Sequence, residues 1–311
     1  MAMDWPALPY PPWRETCEAL HLYSQIVGKY RLARTPWVNH SWHATLYVNA
    51  RGLTTSVVPD GPGGIELVVD LIDHAVVGTA TDGRQARFDL GAMTVAEFHG
   101  RFIELLRALG GTAKLHGRPN EVLDPVPFAA DHRARPYDAE AVTRFFHALL
   151  AIDAVLKRFR TSFVGKVSPV HLFWGSFDVA VTRFSGRRAP PHPGGIPALP
   201  DEVTREAYSH EVSSAGFWPG GGGVDYAAFY SYAYPTPPGF DQARVEPAEA
   251  AFDSRLGEFV LPYDVVRKAP DPDAVLMRFL ETTYRAAAEL GSWDRAALEC
   301  ATGEPLRPRP L

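Results

Sequence analysis

The hydrophobic pattern of this chain changes its period twice, and in the same order each time. Alternating stretches such as Ala44–Ala50 and Tyr226–Tyr234 precede segments whose apolar residues recur every three or four positions. A period of two predicts strands, and a period near 3.6 predicts amphipathic helices. Strands followed by packed helices predict an α+β fold with mostly antiparallel sheet, long amphipathic helices and two similar halves.

Four long helices are predicted, and their ends carry recognisable signals. The first spans Arg14 to Leu32, and the third spans about Asp138 to Arg158. Thr94-Val95-Ala96-Glu97 is a capping box for the second helix, which stops at Gly110-Gly111. Asp271-Pro272 opens the fourth, with proline at its first position, and Gly291 ends it.

Strands are predicted before and between these helices. The predicted strands are Ala44–Ala50, Ile65–Ile72, His74–Ala80, Arg84–Leu90, Ala113–His116, Arg160–Val167, Val170–Phe184, His210–Trp218, Tyr226–Tyr234 and Glu258–Val266. The similar order of elements divides the chain into halves at 1–136 and 137–311. With 46% hydrophobic residues, both halves are expected to form one compact unit, and a distant internal duplication is one explanation of the likeness.

The tyrosine stripe is the clearest sign of a site. Tyr226, Tyr230, Tyr232 and Tyr234 alternate with smaller residues, so a strand would present all four phenols on one face. A buried phenol needs a hydrogen-bond partner, which favours the wall of a polar cavity. Tyr230 and Tyr232 are therefore predicted to donate protons or orient a substrate.

Composition excludes several classes of function. The net charge of −5 and the lack of a long basic block argue against nucleic-acid binding. No apolar run reaches the roughly 18 residues of a membrane span, and the N-terminus does not read as a secretory signal. Cys17 and Cys300 lie at opposite ends of the chain, so a disulfide framework is not expected and a reducing cytoplasm fits.

Familiar catalytic motifs are also missing. Gly220–Gly223 is not followed by a helix pattern, so it is neither a phosphate loop nor a dinucleotide fingerprint. His210-Glu211 lacks the second histidine of a zinc protease, because Ser214 occupies that position. Trp174-Gly175-Ser176-Phe177-Asp178 lacks the second glycine of a nucleophile elbow.

Histidines and one glutamate offer a candidate centre. His43, His171 and His210, together with Glu211, would provide ligands for a divalent metal or acid–base groups if their strands converge. Adjacent His210 and Glu211 point apart on a regular strand, so both reach one site only across a bulge. The alternative is that these histidines are hydrogen-bonded structural residues.

Aromatic and polar residues would complete such a pocket. Trp174 and Trp218 are predicted to contact a substrate, and the turn His116–Glu121 contributes Arg118 and Asn120. Arg118 would clamp a carboxylate or phosphate group. The alternative reading of this turn is a locked loop whose side chains bond to backbone.

Several of these segments together resemble a known family. His43, Ala50–Thr55, His116–Glu121, Val170–Asp178 and His210–Pro219 resemble a bacterial family of domains of unknown function, number 5996, over roughly residues 5–300. The resemblance implies that one family unit spans both halves. It implies no activity.

Three functions remain open on this reading. The first is a small-molecule enzyme with a His/Tyr/Trp-lined pocket, acting on a polar or aromatic substrate with or without a metal. The second is a non-catalytic protein that binds a small molecule. The third is a protein-interaction module that uses the tyrosine stripe.

Overall fold

A computed structural model describes residues 4–309 of the chain, and these form an α+β protein with two antiparallel sheets, as predicted. The α-helices of this part are α1 (Tyr10–Leu32), α2 (Val95–Ala108), α3 (Ala139–Arg160), α4 (Asp201–Ala207), α5 (Tyr263–Arg267), α6 (Pro272–Leu290) and α7 (Arg295–Leu298). The strands are β1 (Tyr47–Val48), β2 (Gly52–Asp60), β3 (Gly63–Asp70), β4 (Ala75–Ala80), β5 (Gln85–Asp89), β6 (His171–Phe173), β7 (Asp178–Arg188), β8 (His210–Trp218), β9 (Ala228–Tyr234), β10 (Ala251–Asp253) and β11 (Glu258–Pro262).

The first sheet is a simple meander of five strands in sequence order, β1 to β5. The second has six strands in the order β10-β11-β9-β8-β7-β6. Backbone hydrogen bonds join the two halves, because Leu46 beside β1 and Leu172 in β6 exchange N–H···O bonds of 3.0 and 2.8 Å. Both leucine side chains are fully buried there.

The second sheet has two unlike faces. Val179, Val181 and Phe229 alternate onto the face that α3 and α6 cover, where they are buried in the hydrophobic core. On the opposite face, successive strands present small or polar side chains. This division follows from the period of two and leaves one face of the sheet available for a site.

The predicted helix signals are confirmed. The Thr94 hydroxyl accepts from the Glu97 N–H at 3.0 Å, and the Glu97 carboxylate accepts from the Thr94 N–H at 2.7 Å. Asp271 caps α6 by accepting from the Ala274 N–H, with Pro272 at the helix start.

Several predicted strands were wrong in kind or extent. Residues 113–116 form no strand, and the Lys114 carbonyl accepts from Arg34 instead. Residues 160–167 form no named strand, because α3 runs on to Arg160 and ends in a turn. The predicted strand Val170–Phe184 is broken into β6 and β7 by a turn in which Phe177 adopts φ 61°.

Other boundaries moved as well. The strands β2 and β10 are absent from the predicted set. The strand predicted to reach Val266 stops at Pro262, where α5 begins. The stripe strand begins at Ala228, so Tyr226 lies outside it and is exposed. No helix among residues 4–309 combines the length and the apolar character that crossing a bilayer requires.

We predict that the two halves unfold together. Leu46→Ala removes a fully buried side chain where the two halves meet and should cost about 2–5 kcal/mol of unfolding free energy. Urea unfolding followed by tryptophan fluorescence and by far-ultraviolet circular dichroism should shift as one coincident transition. Leu123→Ala, at a residue 79% exposed, is the control and should change little. Two separated transitions would contradict a single unit.

Candidate functional site

A cavity of about 720 Å³ lies over the polar face of the second sheet. Strands β7, β8 and β9 form its floor, and α1, α4 and two loops form its sides. The lining is mainly apolar and aromatic, with a small set of polar groups at one end. Its tryptophans are Trp37, Trp42 and Trp174.

The floor is built in register across three strands. Thr182 pairs with Ser214, which pairs with Tyr232, and all three line the cavity. The Thr182 and Ser214 hydroxyls are 2.8 Å apart, and the Tyr232 and Tyr208 hydroxyls are also 2.8 Å apart. Hydroxyl groups therefore satisfy one another along the floor without a charged partner.

The next row of the floor depends on a glycine. Ala180 pairs with Gly216, which pairs with Tyr230. A Cβ atom at position 216 would lie 2.5 Å from the Tyr230 hydroxyl oxygen and 2.3 Å from a backbone carbonyl. Gly216 therefore leaves the space in which the Tyr230 ring lies.

A short strained segment forms the roof. His40 and Ser41 both adopt left-handed backbone angles, with φ of 61° and 58°. The His40 N–H donates to the Glu206 carboxylate at 2.9 Å, and His40 Nδ1 donates to the Ala207 carbonyl at 2.7 Å. These bonds to the last two residues of α4 hold the segment over the cavity.

Asp178 is the buried acid at the polar end. Its two carboxyl oxygens accept hydrogen bonds from the hydroxyls of Ser176 and Tyr230. Burial raises the pKa of Asp178, and the two hydroxyl donors oppose that shift. Asp178 in turn raises the pKa of the Tyr230 phenol, after the larger effect of burial.

Glu121 reaches the same end from a loop. Burial, followed by repulsion from Asp178, raises the pKa of Glu121 to about 7, while Lys29 opposes the shift. Glu121 has φ 58°, and its N–H donates to the Pro197 carbonyl at 2.9 Å. A Cβ atom at Gly175 would lie 1.9 Å from Glu121 Oε1. Any side chain at position 175 would therefore displace this carboxyl group.

Lys29 brings an amine from α1 to this end. Lys29 is only 1% exposed, and its ammonium donates to Asn120 Oδ1 and lies 3.4 Å from His116 Nδ1. It also lies 5.1 Å from the centre of the Trp174 ring. Burial lowers the pKa of Lys29 to about 8, and the negative charge of Glu121 opposes that shift. Among residues 4–309 no carboxylate oxygen lies within 4.0 Å of this amine.

Trp174 is held between α1 and the segment that leads into β1. Its indole Nε1 donates to the Ala44 carbonyl at 2.6 Å. A Cβ atom at Gly28 would lie 2.2 Å from the Trp174 ring. The glycine that precedes Lys29 therefore permits the close approach of α1 to this ring.

A second cavity of about 690 Å³ adjoins the first. Residues that line both cavities include Glu121, Asp178, Tyr208, Tyr230 and Tyr232. The second cavity also contains Trp218 and Glu258, whose pKa is raised to about 8 by burial and by the charges of Asp178 and Asp253. The carboxyl and phenol groups therefore form a shared wall between two hollows.

Five of the predicted site residues line these cavities. Tyr230, Tyr232, Trp174 and Asn120 line the first cavity, and Trp218 lines the second. Tyr230 is buried and Tyr232 is half-buried on the cavity side, whereas Tyr226, the first phenol of the stripe, is exposed. Arg118 is exposed and lines neither cavity.

The predicted histidine centre is not assembled. His43 is buried, packs against Trp37 with the rings tilted by 44°, and accepts from the Val38 N–H at 3.2 Å. His171 is buried beside Thr45, and burial lowers the pKa of its imidazole to about 3. None of the three predicted histidines lines the first cavity.

Glu211 and His210 have partners elsewhere. The Glu211 carboxylate accepts from Arg187 at 2.7 Å and from Ser185 at 2.8 Å, and His210 Nδ1 lies 3.1 Å from the Ser209 hydroxyl. Because the two residues are adjacent on β8, they diverge as a regular strand requires. Within residues 4–309 no group of three or more His, Cys, Asp or Glu side chains is arranged to hold a metal ion.

Sequence reasoning missed the residues that define the polar end. These are Lys29, Glu121, Ser176, Asp178, Tyr208 and Glu258. One signal was available, because Lys29 follows Ile26 by three positions and so lies on the apolar face of α1. The approach of Glu121 to Asp178 carries no sequence signal, because it depends on how the loop between α2 and α3 packs against the turn between β6 and β7.

The comparisons with known proteins give a family but no activity. The model of a family of unknown function, DUF5996, matches residues 5–300. The match does not show the bacterial origin that the resemblance implies. No curated protein and no solved structure matches the chain.

Glu121 should make stability fall as pH rises. Its pKa is raised from the ordinary value of 4.5 to about 7, so its contribution to stability is present below pH 4.5 and is lost as pH rises through 7. Glu121→Gln should therefore gain stability relative to the parent over this window, by up to about 3 kcal/mol. Urea unfolding at several pH values measures the difference. The exposed Glu202→Gln is the control, and a flat difference for Glu121→Gln would contradict the assigned environment.

Proposed function

The chain belongs to the DUF5996 family of unknown function, and we propose that it binds a small organic molecule in the first cavity as a substrate. The proposal rests on one observation: a mainly apolar cavity of about 720 Å³ ends at a desolvated amine and two desolvated carboxyl groups. Ligand sites typically have this size and combine apolar walls with a few convergent polar groups.

The lining favours a ligand with a flat or aromatic body. Trp37, Trp42, Trp174 and Phe173 offer ring faces and edges, and the floor adds the phenols of Tyr230 and Tyr232. Aromatic side chains contact a flat ligand at little cost in side-chain freedom. The polar end of such a ligand would lie at Lys29, Glu121 and Asp178.

The polar end supports acid–base chemistry. Glu121, with a pKa of about 7, is present in both protonation states near neutral pH, so it can donate or accept a proton. Groups with pKa values shifted by burial and by specific neighbours occur preferentially at functional sites. This favours an enzyme over the alternative of a non-catalytic binding protein.

Two earlier alternatives have less support. The metal-assisted version needs Glu211, whose carboxylate is bound to Arg187, and three histidines that lie outside the cavity. The interaction module needs exposed phenols, whereas Tyr230 is only 6% exposed.

Cys17 and Cys300 are both free thiols, which supports the reducing, cytoplasmic setting expected from the sequence.

Calorimetric titration with bicyclic aromatic compounds tests binding. We expect 2-naphthalenemethanol to bind saturably, with a Kd below about 1 mM. Val203→Trp adds a ring to a residue that lines the cavity and should weaken binding by roughly tenfold or more. Glu202→Trp, at the exposed residue that precedes Val203 on α4, is the matched control.

The outcomes separate a cavity site from surface association. Loss of binding in Val203→Trp with retention in Glu202→Trp supports the proposal. Binding that is absent for aromatic alcohols, carboxylates and aldehydes alike, or that both tryptophan variants leave unchanged, contradicts it. Circular dichroism of each variant confirms that the fold is retained.

A further inference from the structure

We propose that Lys29 is a nucleophile that forms an imine with the carbonyl group of an aldehyde or ketone bound in the first cavity. This inference rests on the proposed binding function and specifies its substrate class. It follows from the position of the amine, its partners and the groups around it.

Lys29 differs in its surroundings from the other lysines of the chain. The sequence contains five lysines, and Lys114, Lys157, Lys166 and Lys268 are exposed. Lys29 is 1% exposed, and it is the one lysine of the five that lines the cavity. A lysine held in the interior is rare, and those without a carboxylate partner are rarer still.

The partners of Lys29 leave its nitrogen available for reaction. Asn120 Oδ1 is an uncharged amide acceptor, His116 Nδ1 is an imidazole nitrogen 3.4 Å away, and Trp174 offers only a ring face. An ammonium in a salt bridge is stabilised in its charged form, whereas a desolvated amine without one loses its proton more readily. A pKa of about 8 gives a useful fraction of free amine at neutral pH, which is how catalytic lysines are activated.

Imine formation can be written with the groups present. The free Lys29 nitrogen attacks the carbonyl carbon, a C–N bond forms, and one proton moves from the nitrogen to the former carbonyl oxygen to give a neutral carbinolamine. The carbinolamine hydroxyl then takes a second proton, the C–O bond breaks and water departs, and the resulting iminium nitrogen loses its remaining proton to give the imine. Amine plus carbonyl compound gives imine plus water, so no oxidant, reductant or further reactant is needed.

Glu121 is the group that would carry the proton. It lines the same cavity as Lys29, and each residue shifts the pKa of the other. Its protonated form can give a proton to the departing oxygen, and its ionised form can take one from the nitrogen. Gly175 leaves the space that keeps this carboxyl in the cavity.

Reductive trapping tests the reaction directly. The full-length protein is treated with 2-naphthaldehyde and sodium cyanoborohydride at pH 7, and the alkylated sites are located by peptide mapping. We expect Lys29 to be alkylated at least roughly tenfold faster than the exposed lysines. Mapping also separates the N-terminal α-amine, which reacts in the same pH range.

Variants distinguish the nucleophile from the proton carrier. Lys29→Arg should abolish fast trapping. Lys166→Arg is the matched control and should retain it, because the Lys166 amine also has a histidine neighbour, His40 Nε2 at 2.5 Å, but does not line the cavity. Glu121→Gln should slow trapping at Lys29 by roughly a hundredfold. Binding of 2-naphthalenemethanol, which cannot form an imine, shows that each variant retains the cavity.

The results separate failure of this inference from failure of the proposed function. If 2-naphthalenemethanol binds but Lys29 is alkylated no faster than Lys114 or Lys268, imine formation is overturned and binding stands. If no naphthyl compound binds, the proposed function fails as well. Trapping that Lys29→Arg leaves unchanged also overturns the assignment.

Discussion

The hydrogen bond from the Tyr230 hydroxyl to the buried Asp178 carboxyl is the contact on which the polar end of the site depends. Asp178 is desolvated, so its charge must be stabilised by local donors, and Ser176 provides the second. The same charge is the second-largest cause of the raised pKa values of both Glu121 and Glu258. A change at Asp178 would therefore alter the pKa values of the two carboxyl groups and of the Tyr230 and Tyr232 phenols.

The fold makes room for these groups with glycines. Gly216 leaves space for Tyr230, Gly175 for the Glu121 carboxyl and Gly28 for Trp174. In each case a Cβ would meet a side-chain atom of a cavity residue, and at Gly216 it would also meet the Val179 carbonyl oxygen. The cavity therefore results from three positions without side chains as well as from the residues that line it. A side chain at any of these three positions would displace a residue that lines the cavity.

The sequence indicated the fold class, and it indicated the phenol wall through the alternation around Tyr230 and Tyr232. Both depend on local periodicity, which a single sequence records directly. The histidine centre was a weaker inference because it required strands to converge, and His43 and His171 are instead held by Val38 and Thr45. Lys29 and Glu121 line the same cavity from α1 and from a loop roughly ninety positions later in the chain. No period links them, so only the packed structure brings them together.

The position of Lys29 connects the chemistry to the organisation of the chain. Its helix precedes the first sheet, its proposed proton carrier lies on the loop between α2 and α3, and Asp178 belongs to the second sheet. The polar end can therefore form only when both halves are folded against each other. If the halves did arise by duplication, the site is not repeated with them, because α1, the loop and β7 each contribute a different group. A family match over residues 5–300 agrees with a site that needs nearly the whole chain.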